Sequence, residues 1–204
     1  MAAPSKRETK RSGFLEAAGG DWPSALVAFA ECLAATKALE GYRDHPYRCS
    51  TGHLTIGYGH RLEDAYDQSF TPDDLPGVRC TPGQAYRWLL ADMYEAARAA
   101  RLNLRWWTAS DAGRWRYPGQ QAFLHELGVA RWAGLVEMAF QLGGSGQRKF
   151  RKMGAAIVRR EWGTARKEAL DSLWARQTPV RAVRVAGLLD GSLTISTNVR
   201  RNDP

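Results

Sequence analysis

The sequence predicts a mainly helical α+β fold, and three stretches carry that prediction. Apolar residues recur at helical spacing over residues 26–36, which indicates a helix with one buried face. Residues 54–59 alternate large apolar and small side chains beside a glycine turn, a pattern typical of a β-hairpin. Residues 129–142 are apolar on nearly all sides, as expected for a helix at the centre of a bundle. With 204 residues, 44% of them hydrophobic, one domain with a sizeable core is expected.

Composition limits the classes of function. The net charge of +8 predicts an anionic partner but not which one, since nucleic acid, an anionic membrane and a bacterial cell wall all qualify, and no nucleic-acid-binding motif accompanies the charge. Three cysteines form an odd set that is unlike a disulfide framework. No apolar run is long enough to span a bilayer, and no signal peptide is recognised. We expect a monomer that needs no cofactor.

The N-terminal half begins with a basic extension, residues 1–22, followed by a helix over residues 23–39. Cys32 lies on the apolar stripe of that helix and is expected to be a buried, inert thiol. Glu40 lies where the helical pattern ends, and a Thr-Gly pair at residues 51 and 52 forms the hairpin turn.

The boundaries of the remaining elements are predicted from helix-capping residues and from glycines. Residues 61–78 have no clear period and are interpreted as irregular. Thr81 and Pro82, an N-cap followed by proline, begin a helix expected to reach residue 101. The apolar helix is expected to end at the glycines 143, 144 and 146. Further helices are expected over residues 149–160 and 162–177 and from Thr178 onward, with a polar tail after residue 193.

Three blocks of sequence occur in an order that matches a known family. Glu40 begins a Glu-Gly pair, Cys49 follows nine positions on, and Thr55 follows six further on within the motif TIGYGH. MAFQLG (residues 138–143) and KFRKM (149–153) come next, and WARQTPVRAVR (174–184) comes last. Together these blocks resemble the bacteriophage T4-type lysozymes, the phage endolysin family of muramidases (glycoside hydrolase family 24), over about residues 30–190.

The resemblance implies a lysozyme-like, two-lobed fold over residues 23–204. A small hairpin lobe (about 40–80) is joined by a long helix (about 81–101) to a helical lobe (about 121–193). Residues 102–120 form an Arg- and Trp-rich insertion that lengthens this chain relative to the family by about a dozen residues.

Glu40 is the candidate general acid. Cleavage of a glycosidic bond requires an acid that protonates the departing oxygen and a second group on the other side of the sugar. Burial against the hairpin would favour retention of the proton. The resemblance implies that Arg181 pairs with this glutamate, and a nearby cation favours the ionised form instead. The sequence leaves open which effect is larger.

Cys49 stands where the family more often has Asp, which gives a Glu-Cys-Thr variant of the catalytic triad. By resemblance, Cys49 and Thr55 hold a water molecule and the reaction inverts the anomeric centre, although a nucleophilic thiolate with retention stays open. Gln141 is assigned to substrate binding, and His60 is expected to tie the hairpin to its lobe. The spacing of the histidines and Cys49 matches no zinc pattern, so no metal is expected.

The insertion interleaves arginines with aromatic rings and has two interpretations. It could bind an anionic envelope surface through six side chains, namely Arg105, Trp106, Trp107, Arg114, Trp115 and Arg116. The preferred interpretation is that its tryptophans pack onto the helical lobe.

The resemblance implies a lysozyme that cleaves the β-1,4 bond between N-acetylmuramic acid and N-acetylglucosamine in peptidoglycan and so lyses bacteria. Such a protein is either carried in the virion or kept in the host cytoplasm until it reaches the wall. Three alternatives stay open: a lytic transglycosylase acting on the same bond, a cysteine peptidase or amidase that uses Cys49 with a histidine, and a non-catalytic wall-binding or virion-structural module.

Overall fold

The computed structural model describes residues 22–49, 52–62, 69–110 and 126–195, and the side chains of residues 22–28 and 110 fall outside that description. The chain divides into two compact units. We call Leu33–Met93 the hairpin unit, and Met1–Cys32 together with Tyr94–Pro204 the helical unit. The predicted mainly helical α+β class is confirmed. The N-terminal extension, the polar tail and residues 111–120 of the insertion lie outside the described residues.

The described elements are seven α-helices, three strands and one short 3-10 helix over Pro72–Asp74. In chain order they are α1 (Trp22–Glu40), β1 (Arg43–Arg48), β2 (Leu54–Gly57), β3 (His60–Arg61), α2 (Pro82–Ser110), α3 (Val129–Arg148), α4 (Arg151–Val158), α5 (Trp162–Leu170), α6 (Leu173–Gln177) and α7 (Pro179–Asp190).

The hairpin unit contains an antiparallel sheet in the order β1-β2-β3. Tyr47 pairs with Thr55, and β1 is irregular between Arg43 and Tyr47, where Pro46 has no N–H to donate to the ladder. All four residues of β2 are buried, so this strand is covered on both faces. A small core surrounds it, formed by Leu54, Ile56, Leu62, Leu75, Cys80 and Ala85.

Helix α2 begins as predicted but ends later. Thr81 Oγ1 accepts a hydrogen bond from the Gln84 N–H at 3.2 Å, and Gln84 Oε1 accepts one from the Thr81 N–H at 2.8 Å, which completes a capping box. The helix continues to Ser110 and therefore includes Trp106 and Trp107 of the segment that was predicted as an insertion.

Trp107 does not lie on a surface where it could bind the bacterial envelope, the role considered for it from the sequence. Its side chain is only 2% exposed, and a Cβ placed on Gly154 of α4 would lie 2.3 Å from the indole ring. This packing fills the helical unit and removes Trp107 from the candidate envelope-binding residues. The interpretation of these tryptophans as packing residues is therefore correct for Trp107, while Arg114, Trp115 and Arg116 lie outside the described residues.

In the helical unit, α7 packs against α3, α5 and α6, and α4 packs against α5. Helix α3 is interrupted where Gly143 has φ +68°, as its glycines predicted, but helical structure resumes and reaches Arg148. The side-chain amide of Asn103 donates to the Gly144 carbonyl at 2.8 Å and to Gln147 Oε1 at 2.9 Å, so buried polar contacts hold the turn beyond the break.

The helix expected over residues 162–177 is divided into α5 and α6. Ser172 separates them and caps α6, since its Oγ accepts a hydrogen bond from the Ala175 N–H at 3.0 Å. Among the residues described, no helix combines the length and apolarity needed to cross a membrane.

Gly154→Ala should destabilise the protein, because the new methyl group would overlap the Trp107 ring. Overpacking of this kind costs about 1–3 kcal/mol, which outweighs the ~1 kcal/mol that alanine normally gains over glycine inside a helix. The measurement is thermal unfolding by circular dichroism. Gly163→Ala in α5 is the control, since nothing lies within 4 Å of a Cβ at that position. Equal melting temperatures for the two variants would contradict the described packing.

Candidate active site

Glu40 is the last residue of α1, where the sequence placed it. Gly41 follows with φ +69°, and its N–H donates to the Lys37 carbonyl at 3.1 Å. A glycine in this conformation ends a helix without steric penalty and turns the chain towards β1. The Glu40 side chain is half-buried.

The turn between β2 and β3 lies against the Glu40 carboxyl group. Gly59 has φ +82°, and a Cβ built on it would lie 3.3 Å from Glu40 Oε2 and 3.4 Å from Glu40 Cδ. The backbone of the TIGYGH motif therefore forms one wall of the carboxyl group's surroundings. Only a residue without a side chain fits there unstrained.

Cys49 directly follows β1, and Thr55 lies on the paired strand β2. Tyr47 pairs with Thr55, and the Cys49 N–H donates to the His53 carbonyl at 2.9 Å, which continues the pairing beyond β1. Because side chains alternate along a strand, Cys49 and Thr55 share a face as diagonal neighbours, a relation that typically separates Cα atoms by about 7–8 Å. Cys49 is half-buried, and Thr55 is 2% exposed.

The polar contacts around this pair fix its geometry. The Thr55 hydroxyl donates to the Tyr47 carbonyl at 3.1 Å, which leaves its oxygen able to accept a further hydrogen bond. Arg48 donates to the Gly52 carbonyl at 2.6 Å and to the Phe70 carbonyl at 2.9 Å. This guanidinium group therefore clamps the turn that follows Cys49.

His60 is held by two contacts with α2. Its Nδ1 lies 2.8 Å from Asp92 Oδ2, and its ring stacks on Trp88 with centroids 5.0 Å apart. These contacts connect β3 to α2 within the hairpin unit. His60 therefore supports the turn that contains Gly59.

Gln141 lies on α3 in the helical unit and is engaged through its carbonyl oxygen. Its Oε1 accepts a hydrogen bond from Trp174 Nε1 at 2.6 Å and from the Thr178 hydroxyl at 3.4 Å. Trp174 is buried. These bonds join α3 to α6 and to the start of α7.

Glu137 was missed by the sequence analysis, which treated α3 as apolar. Its side chain is 2% exposed, and Arg184 of α7 grips it with Nε 2.9 Å from Oε2 and Nη2 3.0 Å from Oε1. Burial raises the pKa of Glu137, although the charges of Arg184 and Arg181 act in the opposite direction. A single acidic residue among the apolar residues of a helix indicates a buried ion pair, because a buried carboxylate requires a positively charged or hydrogen-bonding partner.

Arg181, the predicted partner of the general acid, lies in the first turn of α7 and is 6% exposed. It belongs to the helical unit, as does Gln141, whereas Glu40, Cys49, Thr55 and His60 belong to the hairpin unit. Over the ranges that the structure describes, no three His, Cys, Asp or Glu side chains come together as a metal site.

The three cysteines are free thiols in different surroundings. Burial raises the pKa of Cys32 well above its ordinary value, and the nearby Glu137 carboxylate adds to the effect. Burial also raises the pKa of Cys80. Cys32 is buried, as expected, and Cys49 is the most accessible of the three.

Native protein should expose a single reactive thiol. We expect Ellman's reagent at pH 8 to titrate about one thiol per chain rapidly in the native state and all three after unfolding, because only a thiolate in contact with solvent reacts. Cys49→Ser should abolish the rapid phase, and Cys80→Ser should leave it unchanged. Rapid reaction of the Cys49→Ser variant would show that another thiol is accessible.

Comparison with known proteins identifies relatives of the segment that carries these residues. The phage lysozyme family model matches residues 37–113, just over a third of the chain. The pre-baseplate central spike protein Gp5 of Enterobacteria phage T4 is 42% identical over 60 residues, which are 29% of this chain and 10% of that protein. This chain therefore spans only a small part of that relative's length. The range that the family model matches includes Glu40, Cys49 and Thr55.

Proposed function

We propose that this protein is a peptidoglycan hydrolase, a muramidase that cleaves the β-1,4 bond between N-acetylmuramic acid and N-acetylglucosamine. The observation that carries the proposal is the arrangement in the hairpin unit. Glu40 ends α1 with its carboxyl group against Gly59, and Cys49 and Thr55 share one face of the β1–β2 ladder. The segment matched by the phage lysozyme family model includes all four residues.

Glu40 is the proposed general acid and donates its proton to the departing glycosidic oxygen. Cys49 and Thr55 orient the attacking water, for which the thiol and the hydroxyl oxygen supply hydrogen-bonding groups. Attack by water from the far side of the sugar gives inversion. On the resemblance, Arg181 and Gln141 support the acid and the substrate. The wall-lytic role of the whole protein is part of the same proposal.

A virion-structural role is the second candidate, and a specific observation favours it. The T4 relative is named as a baseplate spike protein, so a lysozyme-like segment occurs in a virion component. A structural module that kept the fold would bind peptidoglycan without releasing reducing ends. A lytic transglycosylase would instead release anhydro sugars, which are one water lighter than hydrolysis products and are distinguished by mass spectrometry.

Substitutions of the two central residues should separate these functions. Glu40→Gln should reduce the release of reducing ends from purified peptidoglycan by about a hundredfold or more, because the proton donor is lost. Cys49→Asp should retain much of the activity, and Cys49→Ala should lose most of it. Parental activity in Cys49→Ala would remove the thiol from the mechanism. Parental activity in Glu40→Gln would reject the muramidase proposal.

Gly59→Ala should impair catalysis more than stability, because its methyl group would displace the Glu40 carboxyl group. Misplacement of a catalytic group by about 1 Å can cost up to a hundredfold in rate. Gly128→Ala is the matched control, since Gly128 also has positive φ, at +77°, but a Cβ there would meet nothing within 4 Å. Both variants should lose similar stability by thermal unfolding. Equal activities would contradict a role for the Gly59 contact.

We also propose that the helical unit contacts the anionic bacterial envelope through a basic surface that adjoins the end of α2. It consists of Arg105, Trp106, Arg148, Lys149, Arg151 and Lys152. The Arg151 guanidinium lies 5.5 Å from the Trp106 ring centroid, and Arg148 donates to Asn103 Oδ1 at 3.0 Å. Within the described part of the chain, no carboxylate forms an ion pair with Arg105, Lys149, Arg151 or Lys152, so their charge is available to an anionic partner.

Replacement of Lys149 and Lys152 by Gln should weaken binding to vesicles that contain phosphatidylglycerol, with neutral phosphatidylcholine vesicles as reference. Each basic residue near an anionic surface contributes about 1 kcal/mol, so the pair should reduce binding by about tenfold or more at low salt. Lys167→Gln combined with Arg176→Gln controls for charge alone. Cleavage of soluble glycan strands should be unchanged. Equal binding by both double variants would remove the basic surface from the proposal.

A further inference from the structure

Strand β1 holds an arginine side chain against a tyrosine ring. The Arg43 guanidinium group lies over the Tyr47 ring, with its central carbon 4.3 Å from the ring centroid. Arg43 is exposed and Tyr47 is half-buried, so the ring is partly embedded while the cation faces solvent. A planar guanidinium group packs on an aromatic ring through its face, and its N–H donors remain available at its edges. The ring therefore limits the motion of a side chain that is otherwise flexible.

The Tyr47 ring lies beside the two residues that are proposed to orient the water. Tyr47 pairs with Thr55 in the β1–β2 ladder, and its carbonyl accepts the hydrogen bond of the Thr55 hydroxyl at 3.1 Å. Residues directly opposite each other in such a ladder share one face, with Cβ atoms about 4.5–5.5 Å apart. Cys49 follows two positions after Tyr47, so it shares that face about 7 Å further along the chain. The Arg43–Tyr47 pair is therefore next to the proposed catalytic residues of the hairpin unit.

The positive charge of Arg43 has no carboxylate partner among the residues that the structure describes. The neighbouring Asp44 carboxylate is engaged by two other groups. Its Oδ1 lies 2.7 Å from His45 Nδ1, and its Oδ2 accepts a hydrogen bond from Arg79 Nη1 at 3.0 Å. A cation that is held in place without a protein anion favours an anionic group on a ligand.

We propose that Arg43, stacked on Tyr47, binds a carboxylate of the peptidoglycan substrate beside the proposed site and so favours muramic-acid glycans over uncharged ones. This inference rests on the proposed muramidase function and adds a residue that the resemblance did not assign. Peptidoglycan offers such a carboxylate from two sources, namely the lactyl group of a peptide-free muramic acid and the stem peptide. Arginine suits both, because its planar group binds two carboxylate oxygens at once.

Packing alone is a weak reason for this pair. A cation–π contact at an exposed position adds little to stability, and an uncharged side chain could cover the ring as well. A role in packing predicts that changes to Arg43 affect stability and leave substrate affinity at its parental value. A carboxylate site predicts an effect on affinity that depends on the charge of the substrate and on salt.

The first test is Arg43→Gln, assayed on soluble glycan strands that carry stem peptides. We expect KM to rise about tenfold at low salt with little change in kcat, because a carboxylate away from the reacting bond is bound equally in the ground and transition states. The increase should shrink at high salt, which screens exposed charges. Arg43→Lys should restore part of the affinity, since it keeps the charge without the planar fork. A parental KM for Arg43→Gln at low salt overturns the proposal.

Chemically altered strands identify the source of the carboxylate. The ratio of parental to Arg43→Gln kcat/KM is measured on stem-bearing strands, on strands stripped by an amidase, and on both after their carboxyl groups are converted to methylamides. A ratio of about ten only on stem-bearing strands assigns the stem peptide, and a ratio of about ten only on stripped strands assigns the lactyl group. Equal ratios on both show that either carboxylate is bound. A ratio that is unchanged on the amidated strands rejects a carboxylate ligand.

Arg79→Gln is the matched control, because it removes the same charge from an exposed arginine of the hairpin unit that is paired with Asp44. It should leave KM unchanged on all the strands. An increase in KM equal to that of Arg43→Gln would show a general effect of net charge and would overturn the assignment to Arg43.

Binding without turnover distinguishes failure of this proposal from failure of the muramidase function. Glu40→Gln and Glu40→Gln/Arg43→Gln are compared by pelleting with insoluble peptidoglycan at low salt. Weaker binding by the double variant supports the carboxylate site, and equal binding rejects it. If the parent releases no reducing ends, the muramidase function is wrong, and the pelleting comparison decides the role of Arg43 by itself. An active parent with a kinetically parental Arg43→Gln variant rejects only the role of Arg43.

Discussion

The contact between the Glu40 carboxyl group and the Gly59 backbone is the constraint on which the hairpin unit depends. A Cβ on Gly59 would lie 3.3 Å from Glu40 Oε2, so helix end and strand turn must meet without an intervening side chain. Three features of the hairpin unit allow the end of α1 and the turn between β2 and β3 to lie this close together. Gly41 ends α1 and turns the chain, His60 binds Asp92 and stacks on Trp88, and β2 is buried on both faces. The carboxyl group is therefore placed by packed backbone, which holds a functional group more rigidly than a surface loop does.

The helical unit differs from the hairpin unit because it buries charged side chains within an apolar helix bundle. Glu137 and Arg184 satisfy each other across α3 and α7, and Asn103 and Gln147 satisfy backbone groups around the break at Gly143. The contacts of Glu137 and Asn103 join residues far apart in the chain and connect α3 to α7 and to α2. Helix α7 begins at the Thr178–Pro179 pair and contains Arg181 in its first turn.

Sequence patterns predicted the elements that depend on local chemistry. The end of α1 at Glu40, the capping box at Thr81 and the burial of Cys32 each follow from a short stretch of residues. The length of α2 was not predicted correctly, because the aromatic and arginine residues after position 101 were assigned to an insertion. Asn103, Leu104 and Trp107 do recur at helical spacing, and that period would have extended the helix.

The features of the site that could not be predicted are contacts between distant parts of the chain. Nothing local to Glu137 identifies Arg184 as its partner, 47 residues away, and nothing local to Gly59 indicates contact with Glu40. Both follow from tertiary packing. The family resemblance predicted Cys49 and Thr55 as a pair, and the ladder register places these two residues at diagonal positions on one face.

The cysteine at position 49 constrains the mechanism further. An aspartate would place a fixed negative charge beside the developing positive sugar, whereas a thiol is mostly neutral at pH 7, where only a few per cent of ordinary thiols are ionised. Arg48 is engaged by the Gly52 and Phe70 carbonyls, so it organises the turn through hydrogen bonds to neutral acceptors. A mechanism that needs only an oriented water tolerates this exchange, and one that needs a permanent carboxylate does not. Under the proposed function, a cysteine at position 49 is compatible with a role in orienting the water.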